Sequence, residues 1–113
     1  MTESFTKVKR LSKKKDIEYL LKNGKRSSDE FLTLYYKKSD ILAVGLSITK
    51  GLKGAVKRNL LRRRLREILR KKRKNLKKDV MFIILAKPQA LTLKYRELER
   101  SITILLSKED LLE

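Results

Sequence analysis

The chain has 113 residues and a formal net charge of +18, with 31 Lys and Arg against 13 Asp and Glu. It contains no Cys and no His, which excludes disulfides and the usual zinc ligands, and removes the commonest general base and the best nucleophile. Its 41% hydrophobic content supports one globular domain over residues 1–113 and argues against wholesale disorder.

The charge is concentrated. Residues 1–40 carry 11 basic and 6 acidic side chains, a net of +5. Residues 41–78 carry 15 basic and 1 acidic, a net of +14, and residues 79–113 carry 5 and 6, a net of −1. A single-sign block is a field aimed at a polyanion, whereas a surface built for solubility mixes its signs. Nucleic acid is the first candidate and an anionic membrane surface the second. The start lacks the apolar core of a secretory signal. The longest apolar run, Val80 to Ala86, is too short to cross a bilayer. The expected compartment is the cytoplasm.

Residues 1–11 are polar and basic and read as an extended segment. "SKKKDIEYLLKNG" reads as a short helix, with Ser12 as N-cap and Ile17, Leu20 and Leu21 as its apolar stripe. Gly24 would end it in a left-handed conformation. A short extra strand is expected near Lys25–Ser28. "EFLTLYYKK", rich in β-branched and aromatic residues, predicts a strand, and "KKSD" a turn. "ILAVGLSITK" alternates with a period of two. Leu42, Val44, Leu46 and Ile48 form its core face, and Ala43, Gly45, Ser47 and Thr49 a face of small side chains that something can approach closely. "GLKG" is a loop, and a long helix runs from about Ala55 to Lys74. "DVMFIILAK" is nearly all apolar, as suits a central strand covered on both faces. Pro88 ends it. A last helix is expected from about Gln89 to Leu111, with Leu91, Tyr95, Leu98, Ile102 and Leu105 as its stripe. The order α-β-β-(β)-α-β-α describes an α+β fold, with three helices and a small mixed sheet of three to four strands.

The long helix carries the chemistry. At 100° per residue, Leu61, Leu65, Ile68 and Leu69 fall within an arc of about 100°. Asn59, Arg62, Arg63, Arg66, Arg70 and Arg73 fall within a neighbouring arc of about the same width. A solvated helix face normally mixes signs. Here Glu67 alone opposes 11 basic residues from Lys57 to Lys74. Arginine dominates the stripe, and its guanidinium grips phosphate bidentately and stacks on bases, which an ammonium does not. The stripe therefore predicts an RNA contact, supported by Lys50, Lys53 and Lys57 at its entry.

No catalytic cluster is visible. The carboxylates are scattered, and "GLKGAVK" lacks the spacing of a Walker A loop. On the first long strand, alternation places Phe31 and Tyr35 on one face and Leu32, Leu34 and Tyr36 on the other. These aromatics either pack in the core or offer a shelf for an unpaired base.

"GLSITKGLKGAVKRNLLRRRLRE" resembles the signature of the bacterial ribonuclease P protein subunit: a Gly-x-Ser strand, a glycine-containing loop, Ala-Val-x-Arg-Asn, then arginines on the helix. "RLSKKKDIEYLLKNGKR" and "DVMFIILAK" resemble that family's first helix and last strand. The chain departs from the pattern in having Ile17 and Leu21 where phenylalanine is frequent, and Leu60 where arginine is frequent after Arg-Asn. The resemblance implies a left-handed β-α-β crossover. It also implies a role in transfer RNA 5′ maturation, in which a catalytic RNA subunit hydrolyses the phosphodiester with Mg2+ that it mainly binds itself. Its implied RNA-binding positions include Lys50, Arg58, Asn59, Arg62, Arg63 and Arg66. Implied partners are that RNA and precursor transfer RNA, with no membrane and no protein partner. Ile17, Leu21, Leu32, Tyr36, Gly45 and Ser47 are the candidates for a cleft receiving the single-stranded 5′ leader. The competing readings are a ribosomal-type or RNA-chaperone binder without such a cleft, and a free-standing nuclease.

Overall fold

The computed structural model describes residues 9–11, 13–48 and 54–113. In chain order the elements are β1 (Lys9–Arg10), α1 (Lys14–Asn23), β2 (Lys25–Ser28), β3 (Leu32–Lys38), β4 (Ala43–Ile48), α2 (Ala55–Lys72), β5 (Val80–Ala86) and α3 (Tyr95–Lys108). The strands form one mixed sheet in the order β1-β4-β5-β3-β2. β5 lies at its centre, antiparallel to β3 and parallel to β4, which explains its nearly unbroken apolar sequence. The expected order of elements holds, and the two-residue β1 adds a short edge strand parallel to β4.

The helices divide between the two faces. Leu61, Leu65, Ile68 and Leu69 of α2 and Leu98, Ile102, Leu105 and Leu106 of α3 bury against Leu32, Leu34, Phe82 and Ile84. On the opposite face Leu20 of α1 packs with Leu11, Ala43 and Ile83, and Ile17, Tyr35 and Met81 flank them. Each buried Leu or Ile contributes about 1.5–3 kcal/mol, and the four on α2 act against the self-repulsion of its charged flank.

Several boundaries differ from expectation. The Ser12 cap lies outside the described residues, and the residue before α1 is Lys13, which makes no side-chain cap bond. Gly24 is extended (φ −83°, ψ 163°), not left-handed. Its smallness is needed for another reason. A Cβ there would lie 2.7 Å from the Leu20 carbonyl oxygen and 2.9 Å from that of Tyr36. α2 ends at Lys72, two residues early, and Arg73–Asn75 tighten into a 3-10 turn. α3 begins at Tyr95, because Pro88–Thr92 form a separate 3-10 turn. The Lys94 N–H then donates to Glu97 Oε1 at 2.8 Å, closing the start of α3. Leu91 is thus not on the helix whose stripe it was expected to begin.

At Ala43 and Gly45 the small-residue face of β4 is filled by the protein itself, while Ser47 stays half-exposed and Thr49 lies outside the described residues. The Leu11 N–H donates to the Val44 carbonyl at 2.8 Å, and a Cβ on Gly45 would lie 2.7 Å from the Leu11 carbonyl oxygen and 2.9 Å from its Cβ. Gly45→Ala therefore forces β1 and Leu11 away from β4 and should cost about 1–3 kcal/mol. Urea unfolding of the full chain measures this. Unchanged stability would show that Leu11 does not seat on Gly45.

Candidate nucleic-acid interface

α2 presents two flanks. Leu61, Leu65, Ile68 and Leu69 are buried, and this fixes the rotation of the helix. Lys57, Arg58, Asn59, Arg63, Arg66 and Arg70 are exposed and Arg62 is half-buried. The predicted stripe is therefore a continuous guanidinium-rich edge. Arg73, expected at its end, lies half-buried in the 3-10 turn. The entry residues Lys50 and Lys53 fall outside the described residues.

Internal acids take up little of this edge. Arg70 Nη2 sits 2.7 Å from Glu67 Oε2, and that contact, with Lys71 nearby, holds the Glu67 carboxyl below the usual carboxylate range. Glu67 is the only acid on the helix. Arg62 Nη1 donates to Asn59 Oδ1 at 3.3 Å, which leaves the Asn59 amide nitrogen free to donate outward. The first turn, Ala55 to Asn59, is exposed throughout, so this end of α2 overhangs the core.

The six cleft candidates do not come together. Leu32 is fully buried, and Tyr36 packs with it against the face that α2 and α3 cover. Ile17, Leu21, Gly45 and Ser47 belong to the α1 side, where Gly45 is shut under Leu11. Residue parity separated the two faces of β3 but could not say which one meets α1. The β3–β5–β4 register decides it. Arg26, Tyr35, Ile83 and Gly45 form one row across the α1 side, and Ser28, Thr33, Leu85 and Ser47 the next. Ser28, Leu85 and Ser47 in the outer row are half-exposed. Tyr35, Leu85 and Arg26 are thus residues of this face that sequence parity did not identify. Phe31, expected beside Tyr35, lies before β3 and packs into the opposite core.

Polar anchors hold the rim of this ledge. Asp29 Oδ1 accepts the N–H groups of Phe31 and Leu32, both at 2.7 Å. The Ser101 hydroxyl of α3 donates to Asp29 Oδ2. Lys87 Nζ reaches the Ser28 hydroxyl at 3.1 Å and the Asp29 carbonyl at 2.7 Å. On the other face the Tyr36 hydroxyl donates to Glu109 Oε1.

That last contact makes a pH prediction. The bond to Glu109, then burial, pushes Tyr36 up from 10.0 to about 12. The same bond, with Lys108 and Lys25 nearby, holds Glu109 below the usual carboxylate range. The raised phenol stabilises the fold fully below about pH 10, and that contribution is lost as the pH climbs through about 12. The lowered carboxyl acts in the opposite sense: its contribution is present above the ordinary carboxylate pKa and fades as the pH falls through its folded value. Glu109→Gln should return the late tyrosinate transition in an ultraviolet titration toward 10.0. Tyr36→Phe assigns that transition, and an unmoved midpoint would rule out the contact.

The family profile Ribonuclease P matches residues 5–110. The "Ribonuclease P protein component" of Syntrophus aciditrophicus is 30% identical over 105 residues, covering 91% of this chain and 88% of its own length. The protein of the same name from Streptococcus pneumoniae is 32% identical over 95 residues, covering 82% and 77%. Among solved structures, the RNase P protein of Staphylococcus aureus superposes with a TM-score of 0.84 at 21% identity, covering 92% of this chain and 97% of that one. That of Thermotoga maritima gives 0.79 at 21% identity, covering 88% and 96%.

Proposed function

The chain belongs to the ribonuclease P family, and we propose from that premise how its surface assists the maturation of transfer RNA 5′ ends. As the protein subunit, it lays the arginine edge of α2 on the catalytic RNA. Arg58, Asn59, Arg62, Arg63, Arg66 and Arg70 meet consecutive phosphates, with Lys50, Lys53 and Lys57 at the loop end. The observation that carries this reading is a guanidinium row held outward by four buried aliphatic side chains on the same helix.

The protein's contribution is electrostatic. It offsets phosphate repulsion within the RNA and between RNA and substrate, so less Mg2+ is needed for activity. Among the described residues no three acidic side chains converge on a point that could hold a metal ion. Mg2+ is assigned to the RNA on the resemblance to a family whose catalytic RNA subunit carries out the hydrolysis. The leader of precursor transfer RNA is placed on the α1 side of the sheet, along Ser47, Leu85 and Tyr35 with Ile17 and Leu21 of α1 at its border. Tyr35 offers a ring for a base and Arg26 a charge for the backbone. Among the described residues no helix is long and apolar enough to cross a membrane, and the proposed location is the cytoplasm.

One reconstitution tests the role. Precursor cleavage at low Mg2+ should require catalytic RNA and protein together, and neither alone should suffice. Cleavage by the protein alone would overturn the assignment. Equal affinity for precursor and mature transfer RNA would instead leave a basic RNA binder without a cleft.

The arginine edge has its own test. Arg62→Ala with Arg66→Ala should reduce the slope of log affinity against log salt by about 2, if each meets one phosphate. An unchanged slope in filter binding to the catalytic RNA would show that the edge faces elsewhere. Tyr35→Ala should weaken precursor binding and leave binding to the catalytic RNA intact.

A further inference from the structure

A cleft of about 450 Å³ opens where β3 ends and β5 begins. This lies within the range of about 300–1,000 Å³ typical of small-ligand sites. It stands at the opposite end of the sheet from Ile48, the last residue of β4. Lys38 pairs with Val80 at this end and Ile48 with Ala86 at the other, so the length of β5, about 20 Å, separates them.

Four lysines line the cleft, Lys25, Lys37, Lys38 and Lys77, against Asp79 as the only acid in the lining. Val80 and Leu111, both almost fully buried, close its floor. Tyr36 contributes its ring, because its hydroxyl is turned to Glu109. The Asn23 side chain stands at the rim, its amide nitrogen donating to the Tyr19 carbonyl at 2.9 Å.

We propose that this cleft is a site for a nucleoside 5′-phosphate, with lysine ammonium groups on the phosphate and the base on the Tyr36 ring and the Leu111 floor. The chemistry is paired. An ammonium cluster around a concavity favours an anion, and an aromatic ring beside an aliphatic floor favours a flat heterocycle. The nearby acids do not close the site. Asp110 holds Lys77 at 2.8 Å but is 85% exposed. Such an exposed pair is weak and exchanges readily for a phosphate. Glu109 lies near Lys25 and remains an anion while it accepts the Tyr36 hydroxyl, so it draws on that ammonium without forming an ion pair with it.

The wall that carries Leu111 is braced. The Lys77 N–H donates to the Leu111 carbonyl at 3.0 Å, the Glu113 N–H donates to the Asn75 carbonyl, and Leu76 bridges Leu112. Asp110, in the left-handed conformation at φ 61°, turns the chain from α3 into this brace. The site stands apart from the ribonuclease P role, since it uses none of the residues assigned to the α2 edge or the α1 side of the sheet. The ligand's source is either a free nucleotide or a nucleotide unit of RNA, and the two share the same contacts.

The test is an NMR titration of the full chain with adenosine 5′-monophosphate, followed at the Asn23 side-chain amide and the Leu111 methyl groups. Both signals should shift saturably, and adenosine or inorganic phosphate alone should bind more weakly. Lys25→Gln with Lys38→Gln should weaken binding by about tenfold or more, the loss of charge-assisted contacts. Both residues are exposed, so the fold should survive, and an unchanged amide spectrum verifies that. Arg58→Ala with Arg62→Ala should leave the affinity unchanged. A short 5′-phosphorylated RNA that shifts the same signals and competes with the mononucleotide identifies RNA as the source. Failure of that RNA to compete identifies free nucleotide. Absence of a saturable shift at both signals, or full affinity in the lysine double variant, would overturn the proposal.

Discussion

The seating of Leu61, Leu65, Ile68 and Leu69 on the sheet is the constraint from which the rest of this structure follows. These side chains are nearly or fully shielded from water, and an α-helix has one rotation that buries them together. Once that rotation is set, the arginines have no choice of direction. The helix gathers cations, and burial on the neighbouring flank opposes their self-repulsion. A polyanion docked on this flank would relieve that repulsion, which is the physical basis of the proposed RNA contact.

The sheet separates two tasks. One face is committed to the core made with α2 and α3, and it includes the Tyr36–Glu109 contact that ties β3 to the end of α3. The other face is only partly covered. Leu11 and Leu20 fill its middle rows, while Ser28, Leu85 and Ser47 stay half-exposed at one end. Gly45 and Gly24 belong to this division. Neither supplies a left-handed turn. Each removes a Cβ where another backbone passes within 3 Å. Small residues on an apparently open face thus served internal packing, and the open surface lies one row further along the strands.

Basic residues also gather away from the α2 edge. The cluster around Lys25, Lys38 and Lys77 arises because the ends of α1, β3 and the segment before β5 meet at one corner. No single stretch of sequence carries it. Its residues come from three separate segments, each with lysines that alone would read as ordinary solvated surface.

The sequence by itself determined the element types and their order, the amphipathic division of α2, and the concentration of charge on that helix. Periodicity and like-charge density are local properties, legible within one or two turns. It also carried the resemblance to the ribonuclease P family, whose profile matches residues 5–110. Only the tertiary structure decided which face of β3 meets α1, because a period of two defines two faces without saying what packs on either. That is why parity groups Leu32 and Tyr36 with Gly45 and Ser47 and leaves out Tyr35 and Leu85. The tertiary structure also decided that Leu11 covers Gly45 and that distant lysines share a corner. Such contacts join residues far apart in the chain, and strand register, not local pattern, brings them together.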